Sequence, residues 1–307
     1  MVSYLHKNMQ FIGQSHITSF FDLALNEQQM GLSYCFVGPN QIGKRTLANW
    51  LASQILNVEI EKLLANPDYY YLTRLEDEKT GKKKKDISAE QTRELKEKLY
   101  NRSWLNGHKV AIIDEAELLN EESGNALLKI LEEPPQKCSI FLLTENDASL
   151  LPTIRSRCQV FQFVPVDDKE IENFLEKESI DKDKIKEAIG LSWGRPGKAK
   201  ELLENKELFD QYRAEKKRWQ KIVNAPIYER WQIMDDVLSE KGGVIKTKEK
   251  LDPILDCWIM LWRGEMLEDE KKSVHSQTVI DEIKNIKNLL ATNVNPRLAI
   301  ESLLTKF

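Results

Sequence analysis

Apolar and polar positions change rhythm along the chain. Up to about residue 165, short unbroken apolar runs alternate with stretches at helical spacing. Residues 32–37 (LSYCFV), 110–113 (VAII) and 139–143 (SIFLL) read as strands buried on both faces. Residues 68–75 (DYYYLTRL) and 159–163 add two further strand-like runs. Between them, Ile17, Phe20, Phe21 and the apolar residues 23–25 mark one amphipathic helix, and residues 47–56 another. Ser88-Ala-Glu-Gln91 fits a capping box, in which the Ser and Gln side chains satisfy each other's backbone N–H groups, for a helix to about residue 100. Asn120 is the expected N-cap of a later helix, with Glu121 and Glu122 in its positive first turn. Ala126, Leu127, Ile130 and Leu131 form its apolar stripe, and Pro134 and Pro135 end it. Strands alternating with helices imply a parallel sheet covered on both faces, an α/β/α layer.

From residue 166 the helical rhythm takes over. Three short helices are expected at 168–177, 181–189 and 196–203, and the rest of the chain reads as helical. Trp219, Trp231, Trp258 and Trp262 lie on apolar stripes, the last two on one helix face, where core packing is the default. Gly242-Gly243 reads as a helix–helix turn. The expected division is an α/β domain over 1–165, a small helical lid over 166–204 and an all-α domain over 205–307.

Composition agrees with a chain of about two domains. Of its 307 residues, 31% are charged and 41% hydrophobic, as in globular proteins. The net charge of −4 and pI of 5.8 argue against a protein coated in nucleic acid, while a local basic face stays compatible. The lysine run at 82–85 leaves two readings, a solvated loop or a contact with a DNA backbone. No apolar run reaches 18 residues and no signal peptide is evident, so a cytoplasmic protein with no membrane contact is expected. Cys35, Cys138, Cys158 and Cys257 form no CxxC pair and read as reduced and mostly buried.

The chemistry begins at Gly38-Pro-Asn-Gln-Ile-Gly43-Lys44. A strand precedes it and a helix follows, which is the context of a phosphate-binding P-loop. Its glycines let backbone N–H groups turn toward phosphate oxygens, and Lys44 adds a full charge. One position departs from the pattern. The residue after the lysine normally carries a hydroxyl for Mg²⁺, but here it is Arg45, with Thr46 one place later. That shift turns a helical side chain by about 100°. Phosphate binding survives this better than Mg²⁺-dependent hydrolysis. Asp114 and Glu115 close the 110–113 run. In a P-loop nucleotidase the first would steer Mg²⁺ and the second polarise the attacking water. The alternative is two acids that merely meet water at a strand end.

Residues 126–135 (ALLKILEEPP) and the Ile-Ser-x-Glu-Gln-x-Arg-x-Leu pattern from Ile87 to Leu95 resemble bacterial DNA polymerase III clamp-loader subunits, within the AAA+ family. The resemblance covers residues 11–203 well and the rest by arrangement. It implies an AAA+ P-loop α/β/α sheet, a helical lid and an all-α C-terminal collar for oligomerisation. It places Ile12, Gly13 and Gln14 beside the adenine, with Gly38, Gly43, Lys44, Arg45 and Thr46 around the phosphates. It sets Asn146 at a polar sensor position near the γ-phosphate. Ser156-Arg157-Cys158 resembles the family's arginine finger, which acts in trans on a neighbouring subunit's nucleotide, a role suited to a planar, always-charged guanidinium. The cofactor implied is ATP with Mg²⁺, against which Arg45 counts. Motor subunits carry Gly-x-x-Arg at the start of the last lid helix. Here Gly194-Arg-Pro-Gly197 puts glycine at the arginine position, and Arg195 and Lys198 are out of register. Many relatives hold zinc on four cysteines after the first helix. Residues 47–72 contain no cysteine, so no zinc is expected.

Within the family this combination most resembles the delta-prime branch. That branch is a stator in a hetero-pentamer with delta and gamma/tau subunits, which loads the sliding clamp on primer-template DNA. The implied ATPase activity of the chain itself is weak or absent. An ATP-hydrolysing gamma/tau-type motor subunit is the alternative, supported by Lys44, Asp114 and Glu115 and opposed by Arg45 and Gly197. A DNA translocase or helicase loader is a third class, and the 126–135 block counts against it.

Overall fold

The computed structural model describes residues 11–76, 81, 83–104, 107–133, 135, 137–176, 181–238, 243–268, 273–290 and 294–307. Five strands form one sheet: β1 (Ser33–Val37), β2 (Tyr69–Leu72), β3 (Lys109–Ile113), β4 (Cys138–Thr144) and β5 (Gln159–Gln162). Their order is β2-β3-β4-β1-β5 and every pairing is parallel. The three inner strands are buried at every residue, and the two edge strands only in part. That is why the inner runs are unbroken in apolarity.

Alternate side chains feed two cores. Tyr34, Phe36, Val110, Ile112, Phe141 and Leu143 face one layer. It includes α1 (Ser15–Asn26) and α2 (Lys44–Leu56). Phe21 of α1 is fully buried there, with the rings of Phe20, Tyr34, Phe36 and Phe161 at 5.0–5.7 Å. Cys35, Val37, Ala111, Ile113, Ile140 and Leu142 face the other layer. It includes α3 (Ala89–Tyr100) and α4 (Glu121–Glu132). Ser88 and Gln91 form the capping box of α3. The Oδ1 of Asn120 accepts from the Ser123 N–H at 2.8 Å at the start of α4. Helix α4 ends at Glu132, and Pro134 lies outside the described residues.

After α5 (Pro152–Arg155) and β5, the lid comprises α6 (Asp168–Leu175), α7 (Lys182–Ser192) and α8 (Pro196–Glu204). Residue 177, where the first lid helix was expected to end, is outside the described residues. Strand β2 stops three residues short of its expected end at 75, because Thr73 and Arg74 leave the sheet to bond Glu115.

The chain divides into two compact units, residues 1–200 and 201–307. The lid segment up to residue 200 therefore groups with the sheet. The second unit holds α9 (Lys206–Asn224), α10 (Ile227–Leu238), α11 (Gly243–Glu268), α12 (Ser273–Leu290) and α13 (Pro296–Leu304). Trp258 and Trp262 pack edge-on to Phe307 at 5.2 and 5.3 Å, and Trp262 meets Trp219 at 5.4 Å. Trp231 is not in this core and is 40% exposed. Helix α11 begins at Gly243, and Gly242 is outside the described residues. No described helix is long and apolar enough to cross a membrane.

Candidate functional site

A cavity of about 460 Å³ lies where the glycine loop, β3 and the lid meet. Residues 40–46 line it, together with Ile12, Asp114, Phe174 and Lys200. The loop leaves the end of β1 and enters α2 at Lys44. Gly43 makes that entry with a φ of +109°, which strains any residue with a Cβ. A Cβ there would also come within 2.8 Å of the Phe11 ring.

Lys44 is 7% exposed. Its Nζ donates to the carbonyl of Gly38, and to that of Pro39 at 3.1 Å. Burial pulls its pKa down, opposed chiefly by the charge of Glu145. The lysine is thus seated on its own loop, at the first turn of α2, where helix N–H groups lack intrahelical partners.

Arg45 and Asp114 are linked through Tyr71. The Arg45 guanidinium lies 4.4 Å from the centroid of the Tyr71 ring. The Tyr71 hydroxyl donates to Oδ2 of Asp114 at 2.5 Å. Burial, then that hydrogen bond, push the Tyr71 pKa well up, so the phenol stays a donor. Thr46 also lines the cavity.

Glu115 turns away. It sits at the left-handed φ of +56° and is not among the residues lining the cavity. Arg74 grips both its oxygens, Nη2 to Oε1 at 2.6 Å and Nε to Oε2 at 3.0 Å. Thr73 donates to Oε2 at 3.2 Å, and Lys83 Nζ lies 3.7 Å away. Arg74 holds the carboxyl below its ordinary pKa. The carboxylate expected to polarise water is therefore consumed in an ion pair. Lys83, from the lysine run, serves that same ion pair, while Lys84 and Lys85 are exposed and Lys82 is outside the described residues.

Ile12 lines the cavity, but Gln14 does not. The Gln14 amide donates to the Val164 carbonyl at 2.5 Å and accepts from the Val164 N–H at 3.1 Å. A Cβ on Gly13 would approach Val166 at 2.6 Å, so Gly13 lets the chain pass the start of the lid. The Asn146 side chain caps the turn Asp147–Ser149 by accepting from the Ala148 N–H at 3.0 Å. Gly38 N–H donates to the Thr144 carbonyl at 3.1 Å, tying the loop to β4.

Gly197 has a structural reason to be glycine. Its N–H donates to the Gln41 carbonyl at 3.0 Å. A Cβ there would meet that carbonyl oxygen at 2.9 Å. The lid helix α8 rests directly on the glycine loop, and an arginine side chain would separate them. Arg195 instead lies 5.5 Å from the Trp193 ring centroid, and its Nε donates to the Ser192 carbonyl at 2.9 Å. Lys200, one turn into α8, is the lid cation that lines the cavity.

The Ser156-Arg157-Cys158 segment follows α5. Ser33 of β1 donates to the Arg157 carbonyl at 2.6 Å, and the Arg157 side chain is exposed. Its Nη1 donates to the Thr153 carbonyl at 3.1 Å. The four cysteines are free. Burial pushes the thiols of Cys35 and Cys138 up to about 12 and that of Cys158 to about 11, so none is poised as a nucleophile. Tyr71, Arg74, Phe174 and Lys200 carry no motif signal. Only the shared strand parity of Tyr69 and Tyr71 could have pointed at the first of them.

A family model described as "DNA polymerase III, delta subunit" matches residues 13–167, about half of the chain. The chain is 29% identical to DNA polymerase III subunit delta' of Haemophilus influenzae, over 86% of each. It is 36% identical to the subunit of the same name from Escherichia coli, over 45% of this chain and 40% of that one. Bacillus subtilis DNA polymerase III subunit tau matches at 25% identity over 96% of this chain and 48% of its own length. A gamma subunit-related DNA polymerase III protein of Thermotoga maritima shares the fold with a TM-score of 0.51 at 19% identity, over 93% and 97% of the two chains. With the parallel sheet, P-loop and lid, these matches show that the chain has the AAA+ α/β fold and belongs to the clamp-loader subunit family of DNA polymerase III, within which it is most like delta-prime.

Proposed function

We propose that the chain is a stator-type subunit of the clamp loader that does not itself turn over ATP and supplies Arg157 to a neighbouring ATPase subunit. The carrying observation is the grip of Arg74 on both oxygens of Glu115. A glutamate so held is not available to activate water at the P-loop. Arg45 in place of a hydroxyl and Gly197 in place of an arginine support the same reading. Arg157 is tethered by its backbone to β1 and exposed by its side chain, as a group acting on another subunit requires. On this reading the all-α region 205–307 forms part of a collar with delta and gamma/tau subunits in a hetero-pentamer. The assembled ring loads the sliding clamp on primer-template DNA.

The test is a reconstituted loader containing Arg157→Ala, read by DNA-stimulated ATPase and clamp loading. Arginine fingers contribute a factor of about 10³–10⁵ in GTPases. A smaller loss is expected here because other sites in the ring still fire. Arg157→Lys should not restore the rate, since an ammonium lacks the planar fork. Wild-type rates in an intact mutant complex would refute the finger. The match to a tau subunit over 96% of the chain favours a second reading, a motor subunit. Steady Mg²⁺-dependent turnover by the purified chain, abolished by Lys44→Ala, would establish that one instead.

A further inference from the structure

The cavity suits a polyphosphate but not the metal that normally accompanies one. We propose that it is a metal-independent site for a nucleoside di- or triphosphate, in which the Arg45 guanidinium stands in for the divalent cation. This deepens the stator reading and rests on it, since a site of this kind binds without hydrolysing.

Mg²⁺ needs hard oxygen ligands in a tight octahedral shell. The position after Lys44 offers no oxygen, because it is Arg45. The remaining carboxylate, Asp114, already accepts the Tyr71 hydroxyl at 2.5 Å. The same Tyr71 ring carries the Arg45 guanidinium on its face at 4.4 Å. A dication approaching Asp114 therefore meets a fixed positive charge and a carboxylate with one oxygen engaged. These residues do not fit a magnesium ion.

They do fit phosphate. Lys44, Arg45 and Lys200 line the cavity against the single carboxylate of Asp114, among its described walls. Arg45 has no hydrogen-bond or ion-pair partner among the described residues, so its planar donor fork is held by the tyrosine ring yet uncommitted. Guanidinium forks match phosphate oxygens two at a time. The first-turn amides of α2 lie beside it and favour an anion. The cavity walls also carry the apolar side chains of Phe11, Ile12 and Phe174. An inorganic phosphate would leave apolar wall uncovered, whereas the base and ribose of a nucleotide would cover it. The volume of about 460 Å³ is in the ordinary range for small-molecule sites.

The full chain should be titrated calorimetrically with ADP and with ATP, once in EDTA and once in excess Mg²⁺. Binding in EDTA is expected to be at least as tight as in Mg²⁺. Arg45→Gln should weaken it in EDTA by about tenfold to a hundredfold, the scale of a lost charge-assisted hydrogen bond. Arg45→Thr restores the hydroxyl and should make binding tighter in Mg²⁺ than in EDTA. Thermal unfolding checks that both variants fold, which the exposure of Arg45 favours. Pyrophosphate should bind more weakly than ADP. Wild-type binding that requires Mg²⁺, no binding in either medium, or wild-type affinity of Arg45→Gln in EDTA would each overturn the proposal. Equal affinity for pyrophosphate and ADP would overturn the nucleoside assignment. The stator reading fails separately, by Mg²⁺-dependent turnover of the chain alone, which no binding result mimics.

Discussion

Arg157 and Glu132 are ion-paired, with Nη2 and Oε1 2.8 Å apart. Glu132 is the last residue of α4 and belongs to the Leu-Glu-Glu-Pro-Pro run. The candidate finger thus has a resting partner on its own subunit. Both side chains are substantially exposed, so the pair contributes only about 0–1 kcal/mol to stability. Glu132→Gln should leave thermal unfolding of the free chain nearly unchanged. In a reconstituted loader it should leave ATPase at or above the wild-type rate, because a neighbour's phosphate no longer competes with Glu132. A loss equal to that of Arg157→Ala would instead make Glu132 a positioning residue.

The Arg74–Glu115 pair gives a pH signature. The folded carboxyl sits below the ordinary glutamate value. Between the two values the unfolded chain binds more protons, so stability rises with pH across that window. The contribution is complete above about pH 4.3 and is lost as pH falls through the folded value. Glu115→Gln should flatten this part of a urea-unfolding series run from neutral to acid pH. It should not alter stability changes at alkaline pH.

Replacing Gly197 by arginine tests the seat of the lid. The variant regains the residue type that motor subunits carry, yet its Cβ would press on a backbone carbonyl, which cannot swing aside. The bond to Gln41 should break. Hydrogen exchange should speed up at residues 40–44 and 196–200 together, and ATPase should not appear. Unchanged exchange would mean the two segments are held by something other than this contact.

In the helical unit, Trp258→Ala should cost about 3–5 kcal/mol, the usual range for an emptied aromatic site. Trp258→Phe should cost much less. The indole N–H of Trp258 is buried and has no acceptor among the described residues, so its removal breaks no hydrogen bond. Denaturant midpoints of the two variants check the contrast.

What the sequence conveys depends on how local the cause is. Strands β1, β3 and β4 are legible because burial on both faces leaves no polar interruption. Gly43, Lys44 and Asp114 are legible because loop, lysine and acid follow fixed chemical needs, and all three end near one cavity or on its wall. Gln14 and Asn146 are placed at the site by resemblance alone: the Gln14 amide is held by both backbone atoms of Val164, and the Asn146 Oδ1 caps its own turn, a contact compatible with a sensor role. Arg74 and Tyr71 were not legible, since the carboxylates they bind lie 41 and 43 residues away. Trp231 shares the apolar look of Trp258, but a stripe does not say which of its members meets water.

The two ends of the lid are bound to each other. The Val166 N–H donates to the Gly194 carbonyl at 2.8 Å, and Val164 is clasped on both backbone atoms by Gln14. Chain entry and chain return are thus fastened to each other. Between them, α6 and α7 lie in a stretch of chain fastened together at its base. Just beyond that base, Gly197 sits on the glycine loop. Phe174, Gly197 and the glycine loop line one cavity, so a ligand held there would touch the lid twice, inside the fastened stretch at Phe174 and beyond it at Gly197.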